Sequence, residues 1–332
     1  MSKAQIIGEV VKEYLEAYPK YPTRTLAKMI FKENSQLGNV ESIRDCLRHW
    51  RGNHGKSINE ITDKRFVSNA SERMSYHQIP AEIPESDSEA YIPYDLADGK
   101  WLVMSDIHVP YHDVEAVRIA VKHGKKNKVN GILLLGDCLD SFQLSKFAKD
   151  PRKRNTKGEL DAMNGLINYF EKELKCKIVF KLGNHEARLE MYLYTQAPAL
   201  LGVTDYQFSD LLYAPERGMD MVREEQIIKC GHLTLLHGHE YRNGFSSPVN
   251  PARGMFLKAS ACTLSGHEHR TSQNSAQTIN GTNISNWSLG TMSELHPKYR
   301  PLSNWNLGFA IVDKKGKDFD VSNLRIIHGV VV

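Results

Sequence analysis

Cysteine is scarce in this 332-residue sequence. Its five cysteines, Cys46, Cys138, Cys176, Cys230 and Cys262, are odd in number, far apart and never in a C-x-x-C pair. That spacing argues against a disulfide framework and against a zinc knuckle, leaving reduced and mostly buried thiols as the expectation. Long hydrophobic runs are missing as well. The longest, such as Gly131 to Leu135 and Lys177 to Leu182, are strand-sized and far short of the ~20 residues that span a bilayer. The first twenty residues carry charges throughout and no apolar h-region, so a secretory signal is not read there and a cytoplasmic location is expected. Nor does one sign of charge dominate: 43 Lys and Arg face 39 Asp and Glu, a net +4 that alone announces no polyanionic partner. Internal repeats and low-complexity tracts are absent. What remains, 41% hydrophobic and 25% charged residues, is the composition of a folded chain.

The charge is unevenly distributed. Residues 1–60 carry +3, residues 61–98 carry −5 and residues 99–332 carry +6. Within the acidic tract, Gln78 to Asp98 holds six acids, three prolines and no Lys or Arg, a composition that extends the backbone and buries little. We read 61–98 as a linker, or as an arm lying on the larger domain. The first 60 residues read as a small all-α module of three short helices. Ile7, Val10, Val11, Tyr14 and Leu15 share a face; Thr23 is the expected N-cap of a second helix through Leu26, Ile30 and Phe31; a third follows Asn39 and stops at Gly52. The outline is helix-turn-helix-like. Arg44, Arg48 and Arg51 recur along one face of the third helix, where they could dock on phosphates or guanine edges. A solvated outer face, or a surface for a protein partner, competes with that reading.

From residue 99 short apolar runs alternate with helix-like segments, which argues an α/β architecture. Strands are expected at Trp101 to Met104, Ile132 to Leu135, Lys177 to Leu182, His232 to Leu236, Ala261 to Leu264, Asn286 to Leu289 and Phe309 to Val312. Helices are expected over Val114 to Val121, Leu160 to Leu174 and Ala187 to Tyr194. Directly after five of the strands come Ser105-Asp106-Ile107-His108, Gly136-Asp137-Cys138-Leu139-Asp140, Gly183-Asn184-His185-Glu186, His237-Gly238-His239 and Gly266-His267-Glu268-His269. Open α/β sheets gather their ligands at strand ends, so five turns aim oxygen and imidazole donors at one rim.

This order, D-x-H, G-D-x-x-D, G-N-H-E, a histidine and G-H-x-H over residues 106–269, resembles the calcineurin-like metallophosphoesterase superfamily. The resemblance implies a β-sandwich flanked by helices and a dinuclear metal centre. Asp106, His108 and His269 would hold one ion, Asn184, His237 and His267 the other, and Asp137 would bridge them. Three carboxylate or amide oxygens and four imidazoles do exceed the four ligands of one tetrahedral zinc. Mixed nitrogen and oxygen ligation suits manganese first, with iron or zinc as alternatives. His239 is set aside as a substrate-facing or supporting group, although the order of His237 and His239 could be reversed. The reaction implied is attack on phosphorus by a metal-activated hydroxide, with His185 as general acid. Asp140 and Glu186 would orient imidazoles, and Arg188 could clamp a phosphoryl oxygen.

The phosphoprotein phosphatases of that superfamily place two clamping arginines where this chain has Ser141-Phe142 and Leu182. The expectation is therefore a phosphodiesterase or nuclease acting on nucleic acid or nucleotides, with a phosphomonoesterase or a catalytically silent interaction scaffold as alternatives. Two basic runs could attract a polyanion: Lys122 to Lys128, and a loop holding Lys149, Arg152, Lys153 and Arg154. Tyr192, Tyr194, Tyr206 and Tyr213 could stack on bases, but their spacing favours the core of a cap. A protein partner could dock on residues 1–60; none of this involves a membrane.

Overall fold

Apolar spacing sets both halves of the chain. A computed structural model describes residues 3–53, 83, 86–148, 155–203, 206–241 and 249–332, and the chain divides into two units at residue 88. The first unit holds helices α1 (Lys3–Ala17), α2 (Thr23–Glu33) and α3 (Val40–Trp50). Val11 and Leu15 from α1, Leu26, Ala27 and Ile30 from α2, and Ile43 and Leu47 from α3 close around one another, all buried. Asn39 caps α3 by accepting from Ser42 N at 2.9 Å, and Ser42 Oγ accepts in turn from Asn39 N at 3.2 Å, a reciprocal capping box. Thr23 is not the N-cap of α2. It is the first helical residue, and its hydroxyl accepts instead from Arg51 Nη1 at 2.8 Å.

In the second unit the chain runs through β1 (Tyr94–Asp95), β2 (Gly99–Met104), α4 (Val114–Lys126), β3 (Gly131–Leu135), α5 (Thr156–Leu174) and β4 (Lys177–Lys181). Then come α6 (Ala187–Gln196), α7 (Phe208–Leu211), α8 (Ala214–Arg217), β5 (Asp220–Val222), β6 (Ile228–Cys230) and β7 (Leu233–Leu236). The last part is α9 (Pro251–Ala259), β8 (Thr263–Ser265), β9 (Ser272–Gln277), β10 (Asn283–Ser288), β11 (Gly308–Lys315), β12 (Asp318–Ile327) and β13 (Val330–Val331). Two sheets result, one in the order β13-β12-β11-β2-β3-β4-β5 and one in the order β1-β6-β7-β8-β10-β9. β2, β3, β4 and β5 are parallel neighbours, whereas β11 joins β2 antiparallel.

Successive side chains of a strand point to opposite faces, and both faces of the larger sheet are covered. Trp101, Val103, Leu133, Leu135, Val179, Ala310 and Val312 pack between the sheets with Leu235, Leu264 and Trp287. Their neighbours Leu102, Met104, Ile132, Leu134, Ile178, Phe180, Phe309 and Ile311 pack on the other side with Val117, Val121, Met163, Ile167 and Phe170 of α4 and α5. That double burial is why these strands read as unbroken apolar runs. Residues 89–98, at the end of the acidic tract, belong to this unit: Tyr94 and Asp95 pair with β6, and Leu96 is buried between the sheets. Residues 54–82 and 84–85, which include much of that tract, lie outside the described residues. Among the described residues no helix is long and apolar enough to cross a membrane.

Leu133 is fully buried in the inter-sheet core. Leu133→Ala should cost about 2–5 kcal/mol, read from the urea midpoint of the full chain, whereas Ile279→Ala at a fully exposed site should stay within about 0.5 kcal/mol.

Candidate metal centre

The loops after β2, β3, β4, β7 and β8 meet at one rim of the sandwich, and the backbone there is unusual. Asp106, His108, Asp137, His267 and His269 all have positive φ, between 51° and 67°, a left-handed conformation that non-glycine residues adopt only when their surroundings impose it. Here hydrogen bonds between loops impose it. Asp106 N donates to Gly136 O at 3.0 Å and His108 N to Asp137 O at 3.0 Å. His267 N donates to Asp106 Oδ2 at 2.8 Å, and His185 N to Asp137 Oδ1 at 2.9 Å. The approach is close enough that a Cβ at Gly183 would collide with Asp137 Oδ1, and one at Gly266 with Ser105 Oγ.

Three groups of ligand atoms lie together there: Asp106, His108 and His269; His108, Asp137 and His185; and Asp137, His237 and His267. Asp137 belongs to two of them. In the first group His269 Nε2 lies 3.0 Å from Asp106 Oδ1 and 3.3 Å from His108 Nε2. In the third, His237 Nε2 lies 3.1 Å from Asp137 Oδ2. Asp106 Oδ1, Asn184 Oδ1 and His237 Nε2 are buried and make no hydrogen bond. Buried polar atoms without partners are rare and costly, and divalent cations satisfy this donor set of carboxylate, amide and imidazole. Burial works against charging His237, but the Asp137 carboxylate pushes it up to about 10. Burial, helped by the neighbouring His237 and His108 respectively, holds His267 and His269 below the ordinary histidine value against the pull of Asp106 and Asp137. Cys138 is no competitor, because burial pushes its thiol far up.

A second layer turns the imidazoles inward. His108 Nδ1 lies 3.2 Å from Asp140 Oδ1, and His237 Nδ1 donates to Leu135 O at 2.8 Å, which leaves both Nε2 atoms free toward the cluster. Burial opposes the charge on Asp140, yet His108 and His185 hold its carboxyl well below the usual range. Glu186 ties two loops together, accepting from Asp137 N at 3.0 Å, Leu139 N at 2.9 Å and Gly183 N at 2.8 Å. His185 Nδ1 donates to Asp140 O at 2.8 Å, and Arg188 Nη2 lies 2.9 Å from His185 Nε2 while Arg188 Nη1 donates to Asp140 O at 2.7 Å.

Sequence reasoning missed one buried pair. Lys181 is fully buried and pairs with Glu240 Oε1 at 3.0 Å, and Glu240 accepts from His237 N at 3.0 Å and Gly238 N at 2.6 Å. Although burial disfavours the charge, Lys181, His239 and the N–H groups of Gly238 and Glu240 lower Glu240 to about 2. The signal was a lysine closing the otherwise apolar run KIVFK. His239 packs beside His237 at 5.3 Å between ring centroids, and burial lowers it to about 4.

Among the described residues, the basic candidates of α3 are engaged within their own unit. Arg44 pairs with Glu41 at 3.0 Å and Arg48 faces Asp45 at 3.7 Å. Arg51 donates to Thr23 Oγ1, to Pro19 O at 3.2 Å and to Tyr21 O at 2.7 Å, joining the end of α3 to the turn between α1 and α2. Lys122 to Lys128 fall at the end of α4, which runs back from the ligand rim to the start of β3, and so lie at the opposite edge of the sheet. Lys149, Arg152, Lys153 and Arg154 lie outside the described residues. The expected cap core of tyrosines is not formed: Tyr192, Tyr194, Tyr206 and Tyr213 are each at least 40% exposed, and α6 buries Leu193 instead.

The model of the calcineurin-like phosphoesterase family matches residues 99–271, more than half of the chain and all five loops. The chain belongs to that family. This phosphoesterase is also similar to solved structures. Vps29 of Entamoeba histolytica complexed with zinc is 12% identical, with a TM-score of 0.38 over 70% of this chain and 96% of that one. A dimetal phosphatase from Danio rerio is 12% identical, with a TM-score of 0.34 over 68% and 95%. The phosphoesterase YfcE from E. coli is 15% identical, with a TM-score of 0.30 over 64% and 88%. No curated protein matches the chain.

Manganese titration followed by calorimetry should find two ions per chain in the wild type and at most one in Asp137→Asn, with a melting temperature that rises on loading by mass action. Fewer than two ions in the wild type would contradict a shared Asp137.

Proposed function

We propose that this phosphoesterase is a dinuclear-metal phosphodiesterase acting on nucleic acid or nucleotides. The observation that carries the proposal is the convergence of seven side chains from five loops, several with buried and unsatisfied ligand atoms. Asp106, His108 and His269 would hold one cation, Asn184, His237 and His267 the other, and Asp137 would serve both. Manganese suits these donors best, followed by iron or zinc. Such ions, when bound, supply Lewis acidity to phosphoryl oxygens and a water that ionises near neutral pH.

The protein's own groups then position and protonate. Arg188 is aimed into the rim and can turn from His185 Nε2 to a non-bridging oxygen of the phosphoryl group. That move leaves His185 Nε2 to carry the proton for the departing oxygen, while Nδ1 stays fixed on Asp140 O. Burial counts against a protonated His185, but the neighbouring Asp137 and Asp140 raise it above the ordinary histidine value.

Preference for a diester rests on positive charge. Ser141 is buried and its N–H is held by Glu159, while Leu182 packs against the helix-side core, so neither position offers a guanidinium to a dianion. A singly charged diester needs less compensation. The three-helix unit would recruit substrate or a partner through Arg44 and Arg48, and five free cysteines fit a reducing cytoplasm.

With manganese, bis-p-nitrophenyl phosphate should turn over faster than p-nitrophenyl phosphate. Chelator should abolish the activity, and His185→Gln should lower it at least about a hundredfold. A faster monoester overturns the diester choice, and absence of metal-dependent turnover on either points to a docking scaffold. Replacing Arg44 and Arg48 together by Glu should weaken binding of the full chain to labelled duplex DNA at low salt; unchanged binding assigns the helical unit to a protein partner.

A further inference from the structure

Between β10 and β11 the chain makes a long excursion whose two ends are fastened to the same part of the centre. At its start Thr291 Oγ1 and Met292 N both donate to Asp106 O, at 2.7 and 3.1 Å. At its end Asn306 N donates to His269 O at 3.1 Å, and Thr271 N donates to Asn306 Oδ1 at 2.8 Å. Asp106 and His269 are the pair that faces His108, so the excursion rises from the backbone of that one ligand group. Between the anchors it carries Lys298-Tyr299-Arg300 and Trp305.

The aromatic rings sit at the rim. Trp305 packs on the ring of His269 with centroids 4.2 Å apart, Tyr299 stands 6.3 Å from Trp305 at an interplanar angle of 63°, and Arg300 lies 5.6 Å over the Trp305 ring. Tyr299 is 78% exposed, so its ring is open to a planar partner beside Trp305. An exposed ring beside a half-buried one, interleaved with Lys and Arg, is the chemistry that holds single nucleotides: bases stack on the rings, and cations meet the phosphate.

We propose that the 293–305 excursion is a nucleobase subsite, in which Tyr299 and Trp305 receive the base of the nucleotide whose phosphate is cleaved and Arg300 faces its backbone. This deepens, and rests on, the phosphodiesterase reading. Tyr299 here determines specificity and takes no part in the bond change.

The test compares thymidine 5′-(p-nitrophenyl phosphate) with methyl p-nitrophenyl phosphate, two diesters that share a leaving group. The ratio of their kcat/KM values should fall about tenfold in Tyr299→Ala and recover in Tyr299→Phe. An unchanged ratio in Tyr299→Ala overturns the subsite while leaving the diesterase standing. Should the wild type cleave neither ester, the diesterase reading fails, and calorimetric binding of thymidine 5′-monophosphate to the manganese-loaded full chain still decides the subsite. About tenfold weaker binding in Tyr299→Ala supports it, and equal binding overturns it.

Discussion

A buried carboxylate between two sets of imidazoles is the constraint around which this molecule is arranged. Asp137 has one oxygen fixed by the N–H of His185, and the other faces His237 at 3.1 Å. Its own N–H is held by Glu186, and its carbonyl by the N–H of His108. The loops after β2, β4 and β7 thus reference their positions to one residue. A charge buried to this degree is tolerated only when every neighbour answers it, and the answers come from both sheets. The inter-sheet core serves the site by fixing the distance between β3, which delivers Asp137, and β7 and β8, which deliver His237 and His267.

The left-handed candidate ligands express the same constraint in the backbone. Five of them sit in a conformation that costs of order 1–3 kcal/mol each in a free chain. The loops hold them there through backbone bonds, as at Asp106 and His108, and through carboxylates that accept from the backbone, as at His267 and Asp137. Glu186 and Glu240 extend this by holding the amides of three of the five ligand loops. Glu186 is countered by no ammonium among the described contacts, whereas Glu240 has Lys181 beneath it.

Strands buried on both faces were legible because their apolar runs are unbroken: Trp101 to Met104 and Ile132 to Leu135 stand where composition puts them. β9, SQNSAQ, offered no apolar signal, since it is held by its ladder to β10 and shows half its residues to solvent. β12 buries Phe319 and Val321 against the inter-sheet core while Asp318, Asp320 and Ser322 stay outside or nearly so, an alternation that the charges disguised. The turns that carry the candidate ligands were visible as a pattern because their residues are local to each strand end. Lys181 with Glu240 was not, because a buried ion pair sixty residues apart leaves no pattern along the chain. The tyrosines misled for a related reason: helical spacing says which residues share a face, but not whether anything lies opposite that face.

The match to the family model ends at residue 271, yet β11 lies inside the larger sheet, between β12 and β2. The carbonyl of Asp106 is gripped by Thr291 and Met292 from beyond that limit. A gene fragment trimmed to the shared region would therefore bare the flank of β2, a strand with no protection of its own against pairing with other chains, and would loosen the first ligand turn. The C-terminal sixty residues act as the keystone of the arch, so shuffling or dissecting this protein must carry them along.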